Sequence, residues 1–114
     1  MMRILLSGLL LVLVGCFNAP PSVPVLVGPD SAGRGDTVWF NVRSVDPEDG
    51  QISYMMDWGD TTADVWSYFF WSGDTVQRSH SYDSPGFFQV RCRARDIDGR
   101  QSDWSDVHSL RITP

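Results

Sequence analysis

The acidic side chains of this 114-residue chain fall partly into two short clusters, Asp46, Glu48 and Asp49 in one turn-rich stretch and Asp96 and Asp98 in another. Carboxylates gathered at one pole repel. A hard cation taking about six to eight oxygen ligands is the usual remedy, so Ca2+ is the one cofactor these residues suggest. Neither stretch has a complete calcium-loop spacing, and Asp49-Gly50 and Asp98-Gly99 are also ordinary turn pairs. A second group is aromatic: Trp66, Tyr68 and Phe70 alternate with Ser67, Phe69 and Trp71. A strand here would be apolar on both faces, and the face left outside the core would mark a protein interface or a glycan-binding surface. A third is the row Arg91, Arg93 and Arg95, expected to pair with carboxylates such as Asp57 across a solvated sheet face. Arg34-Gly35-Asp36 matches an integrin-type tripeptide, but it lies in a turn that Gly33 and Gly35 serve anyway.

No catalytic set emerges from these types and spacings. His80 and His108 fall in separate segments, and no Ser or Cys stands in a nucleophile-elbow context. No Cys/His cluster has zinc spacing. The chain is expected not to be an enzyme, with His80 hydrogen-bonded near the turn after Asp57. Cys16 and Cys92 are too few for a disulfide scaffold. The net charge of −5, with all nine basic residues Arg, argues against nucleic acid. Without residues 1–15 the chain loses Arg3 and no acid, leaving 8 basic against 14 acidic residues. A polybasic attachment to anionic lipid is excluded.

The N-terminus reads as a targeting segment. Arg3 precedes the apolar run Ile4–Val14, whose 11 residues fall short of the roughly 20 that span a bilayer. Leu13-Val14-Gly15-Cys16 follows and resembles the lipobox of bacterial lipoproteins. That resemblance implies a signal helix over 1–15 that is cleaved, a lipid on Cys16 and attachment of the protein to a membrane. Acyl chains add about 0.8 kcal/mol per buried CH2, so two or three of them anchor firmly. Residues 16–24, with Pro20, Pro21 and Pro24, are expected to form a short extended tether. The location is then the cell envelope, outside the cytoplasm. Asp is absent just after Cys16, which resembles lipoproteins that are not retained at the inner membrane.

These groups need a scaffold, and the rest of the chain supplies an all-β one. Alternating apolar runs recur between Gly, Pro, Asp and Ser clusters, giving seven expected strands near 23–27, 37–44, 51–58, 64–70, 75–82, 86–95 and 106–113. Val38, Phe40 and Val42 should face inward from one strand, and Ile52, Tyr54, Met56 and Trp58 from the next. Phe88, Val90, Cys92 and Ala94, with Leu110 and Ile112, complete two inner faces that close as a sandwich. Cys92 is then a small buried hydrophobe.

Three islands occur in order: Asp57-Trp58-Gly59-Asp60, then His80-Ser81-Tyr82 leading through Asp83-Ser84-Pro85-Gly86, then Arg95-Asp96-Ile97-Asp98-Gly99. This order resembles the PKD-like domains of bacterial extracellular proteins over roughly residues 23–113. Gly59-Asp60-Thr61 departs from the Gly-Asp-Gly form of the turn, and Trp66–Trp71 is unusually aromatic. The resemblance implies an immunoglobulin-like β-sandwich over 25–114 and a non-catalytic module serving as spacer, adhesion element or partner-binding surface. The partner would be a protein or glycan; a subunit of a larger envelope assembly, docked through 66–71, is the other reading. In such a topology the 45–50 and 96–99 loops share one end, which brings the five carboxylates together.

Overall fold

The computed structural model describes residues 19–62 and 64–114. The expected signal segment 1–15 and Cys16 lie outside the described residues. Eight strands form: β1 (Val25–Val27), β2 (Ser31–Gly33), β3 (Thr37–Arg43), β4 (Gln51–Asp57), β5 (Phe70–Trp71), β6 (Val76–Ser81), β7 (Gly86–Asp96) and β8 (His108–Thr113). They make a three-stranded sheet, β1-β3-β6, facing a five-stranded one, β2-β8-β7-β4-β5. Period-two patterning builds both. Along β3, Val38, Phe40 and Val42 are buried while Trp39, Asn41 and Arg43 are exposed. Ile52, Tyr54 and Met56 from β4 with Trp58 just after it, Val90, Cys92 and Ala94 from β7, and Leu110 and Ile112 from β8 fill the space between the sheets. The core holds the residues expected from the sequence, except that Phe88 is only partly buried, and adds Val76 and Tyr82.

Four details differ from that expectation. First, β2 adds an eighth strand, parallel to β8, with Ala32 opposite Ile112. Second, residues 64–69 are not a strand; only Phe70 and Trp71 pair with β4, opposite Ile52 and Gln51. The stretch cannot bury two apolar faces as a ladder, so it crosses the sandwich edge as irregular chain. Third, β7 runs to Asp96, beyond the reach of β8, whose pairing stops at Val90–His108. Fourth, the expected tether is already part of the fold from Pro21 onward. Pro21 and Pro24 are buried, the Ser22 amide donates to the Val45 carbonyl at 2.9 Å, and the Ser44 hydroxyl donates to the Ser22 carbonyl at 2.6 Å.

Candidate functional site

The outer face of the five-stranded sheet carries the arginine row and part of the aromatic segment. Residues 91, 93 and 95 of β7 alternate with the buried 92 and 94, which aims all three arginines outward. Arg91 faces Asp57 across the β4–β7 pair and donates from Nε to its carboxylate at 2.9 Å, as expected. Both partners are partly exposed, so this ion pair adds little stability. The other contacts were not foreseen. The Arg91 and Arg93 guanidinium groups lie 4.4 and 5.0 Å from the Trp104 ring centre. The Arg95 guanidinium lies 4.4 Å from Trp66 and 5.8 Å from Phe69. Each ring offers a negative π face to a cation, an attraction worth about 0.5–1 kcal/mol at exposed sites.

Two Trp-Ser pairs hold those rings in place, one on each flank of the β4–β7 ladder. The Ser67 amide donates to the Tyr54 carbonyl at 2.9 Å, while its hydroxyl accepts the Tyr54 amide at 2.9 Å. Ser105 treats Cys92 the same way: its amide reaches the Cys92 carbonyl at 2.8 Å, and its hydroxyl accepts the Cys92 amide at 3.0 Å. Ser102 repeats the device on Ala94, with distances of 2.8 and 3.0 Å. These serines satisfy the backbone of β4 and β7 where no neighbouring strand does. The preceding residues, Trp66 and Trp104, are thereby laid over the arginines. The sequence signal was the Ser-x-x-Ser spacing of Ser102 and Ser105 around Trp104, which periodicity alone does not reveal.

The aromatic segment is thus divided. Trp66 and Phe69 cover Arg95, and Phe70 packs against the core. Tyr68 is 89% exposed and Trp71 61% exposed. Asp64, at the start of the crossing, accepts the Met56 amide at 2.7 Å and lies 3.8 Å from Arg78.

His80 is placed near the expected turn. Its ring stacks on Trp58 at 4.8 Å with 7° between planes, and Nε2 meets the Asp60 carboxylate at 2.7 Å. Desolvation alone would raise the Asp60 carboxyl, but hydrogen bonds from His80 and Thr62 hold it below its ordinary value. Tyr82, fully buried, donates its hydroxyl to the Trp58 carbonyl at 2.7 Å. His108 meets the Pro29 carbonyl at 2.7 Å, away from His80. Burial pushes the Cys92 thiol up to about 12, so it stays protonated and inert.

The five carboxylates of the acidic pole do share one end. Partial desolvation and the charges of Asp46 and Asp96 push the Glu48 carboxyl upward. Yet Asp46 and Asp96 serve their own loops. The Asp46 carboxylate accepts the Glu48 and Gly50 amides at 3.2 and 3.1 Å; Asp96 accepts those of Asp98 and Arg100 at 3.0 and 2.9 Å. Asp49, with φ of 56°, and Asp98 occupy the turns themselves. Among the described residues no group of three or more His, Cys, Asp or Glu side chains could hold a metal ion. In the 34–36 turn, the Asp36 carboxylate accepts the Gly33 amide at 3.1 Å, a structural use of the tripeptide.

Two facing sheets and a tyrosine bonded across the end of the core define an immunoglobulin-like β-sandwich module. The chain belongs to the PKD domain family, whose model matches residues 18–112. It is similar to the PKD domain of an M14-like peptidase from a Thermoplasmatales archaeon, at 31% identity and a TM-score of 0.79 over 86% of this chain and 100% of that one. The PKD domain of the human VPS10 domain-containing receptor SorCS2 shares the fold at 22% identity and a TM-score of 0.57, covering 86% of this chain and 78% of that one. No curated protein matches. PKD domains are typically extracellular, often as accessory modules of proteins such as peptidases and receptors.

Proposed function

We propose that this PKD domain is the body of a non-catalytic cell-envelope lipoprotein, held to a membrane by a lipid on Cys16. The outer face of its larger sheet is the surface that meets a protein or glycan. The observation carrying this reading is the ladder of Trp66, Arg95, Arg93, Trp104 and Arg91. Fixed rings and guanidinium planes form a flat platform, with Tyr68 standing free beside it at 89% exposure. Such groups bind planar or sugar-like partners with little ordering cost. The absence of chemistry is part of the proposal: His80 and His108 are engaged in hydrogen bonds, and Cys92 is sealed in the core. The anchor rests on the apolar run and Leu13-Val14-Gly15-Cys16. Fractionation of wild type against Cys16→Ser tests it, with the variant expected to leave the membrane fraction.

Exposure of Tyr68 also favours the second reading, a subunit docked into an envelope assembly through 66–71. Tyr68→Ala separates the two. A subunit loses a stoichiometric co-purifying protein at unchanged melting temperature, whereas a glycan-binding or spacer module has no such protein to lose.

A further inference from the structure

The chain enters the sandwich at a defined end, and that end has a surface of its own. Pro21 is buried and Ser22 is bonded to Ser44 and Val45. Five residue steps separate Cys16 from Pro21, so a fully extended link spans at most about 18 Å. Glu48 meets the Ala19 backbone, which follows the same path along the 44–50 loop.

Exposed apolar side chains gather at this end. Phe70, Ile52 and Asp96 lie side by side across β5, β4 and β7. One step further out, Trp71 sits opposite Gln51, and Ile97 follows Asp96. Trp71 and Ile97 therefore flank Gln51 at about two strand spacings, roughly 10 Å apart. Both are 61% exposed. Val45 is 39% exposed and adjoins Asp46, whose amide bonds to the Ser72 hydroxyl at 2.8 Å. Val23, 46% exposed, completes the set beside Ser22.

We infer that this end of the sandwich is seated on the bilayer, with Trp71 and Ile97 in the headgroup region. The inference rests on the lipid reading of Cys16. A link of that length keeps the end close to the surface, and Trp is the side chain that settles at a membrane–water boundary, its ring apolar and its N–H wet. The domain then stands end-on. β4 carries the chain away from the membrane over seven residues, about 23 Å. The 58–62 and 82–85 turns face outward, and the arginine–tryptophan platform stands sideways to the membrane, open to a partner. Glu48, Asp49 and Asp98 at the same end are exposed, so the seat suits zwitterionic lipid and is weakened by an anionic surface.

The test uses the full lipidated chain in phosphatidylcholine vesicles containing lipids spin-labelled near the headgroup. A fluorophore is attached at Ile97→Cys, or at Thr62→Cys on the far end. Cys16 is blocked by its thioether and Cys92 is buried, so each variant offers one reactive thiol. Interfacial groups lie about 5–10 Å into the boundary, so the label at 97 should lose about half its emission or more and the label at 62 almost none. Trp71→Ser should reduce the quenching at 97. Equal, weak quenching at both sites in protein that still floats with the vesicles overturns the seat and leaves the lipid anchor standing. A Cys16→Ser chain that floats as well as wild type sinks the anchor instead. Quenching at 97 that follows protein concentration rather than spin-labelled lipid, or that deepens on anionic vesicles, overturns the seat in favour of another copy of the chain or a charge-driven contact.

Discussion

Ser105 is a demanding place to probe what holds the ladder. It is 8% exposed, and its hydroxyl is the acceptor for the Cys92 amide on a strand that β8 no longer covers. Ser105→Ala removes that acceptor without adding volume, leaving a buried N–H unsatisfied. Such a loss costs about 1–3 kcal/mol. For a domain near a hundred residues each kcal/mol moves the melting temperature by about 4–8 °C, so a drop of about 4–24 °C is expected. Ser67→Ala acts on the Tyr54 amide from the other flank, at a site less buried, and should fall at the lower end of that range. The assay is a thermal melt followed by circular dichroism, with the near-ultraviolet tryptophan signal recorded below the transition. If the serine clamp places Trp104 over Arg91 and Arg93, the near-ultraviolet signal of Ser105→Ala also weakens before melting. A variant that melts within about 1 °C of wild type with an unchanged tryptophan signal would refute the reasoning. The Cys92 amide would then have another partner, and the ring would be held by packing alone.

Three further outcomes follow from the same geometry. Gly59→Ala should destabilise by about 2 kcal/mol or more, because φ is 81° and an added Cβ would stand 2.7 Å from the Gln89 carbonyl oxygen; a denaturant titration measures it. The folded-state depression of the Asp60 carboxyl supplies stability above its ordinary value of 3.8 that is lost as pH falls below it, so Asp60→Asn should flatten the acid limb of the stability–pH curve. Millimolar Ca2+ and EDTA should leave the melting temperature alike, since the Asp46 and Asp96 carboxylates accept amides within their own loops; a rise with Ca2+ would support calcium binding at Asp46, Glu48, Asp49, Asp96 and Asp98.

Period-two patterning carried the core because each inward residue is a choice between water and the opposite sheet, a choice visible in one residue's neighbours. Val38, Phe40 and Val42 are buried for that reason, and so are Ile52, Tyr54 and Met56. The pattern fails where backbone bonds are made by side chains instead of strands. Residues 64–69 looked like a strand because their aromatics alternate, yet Ser67 and Asp64 bond the β4 edge without a ladder. Likewise nothing periodic announces that Ser102 and Ser105 continue the edge of β7. Ser31–Gly33 has no apolar signature to mark it as a strand, since it is fixed by a parallel partner at the far end of the chain. The proline-rich entry read as a spacer, but proline restricts φ without deciding burial, and Ser22 ties that segment to Ser44.

The double use of the aromatic segment governs how its function can be probed. Trp66 and Phe69 shelter Arg95, whose Nε is buried without a hydrogen-bond partner, so the rings provide its cover. Removing either ring changes the fold's outer layer as well as any surface it offers. A binding defect in Trp66→Ala would therefore be ambiguous. Phe70 is worse placed still, since it packs on the core. Tyr68 differs: its side chain is 89% exposed, and its carbonyl accepts the Ser67 hydroxyl at 2.7 Å. Truncating it to Ala keeps that carbonyl and should leave the unfolding free energy within about 0.5 kcal/mol of wild type. Any partner lost with Tyr68→Ala is lost from the surface and not from the fold, which makes this position the sharper test of what the platform meets.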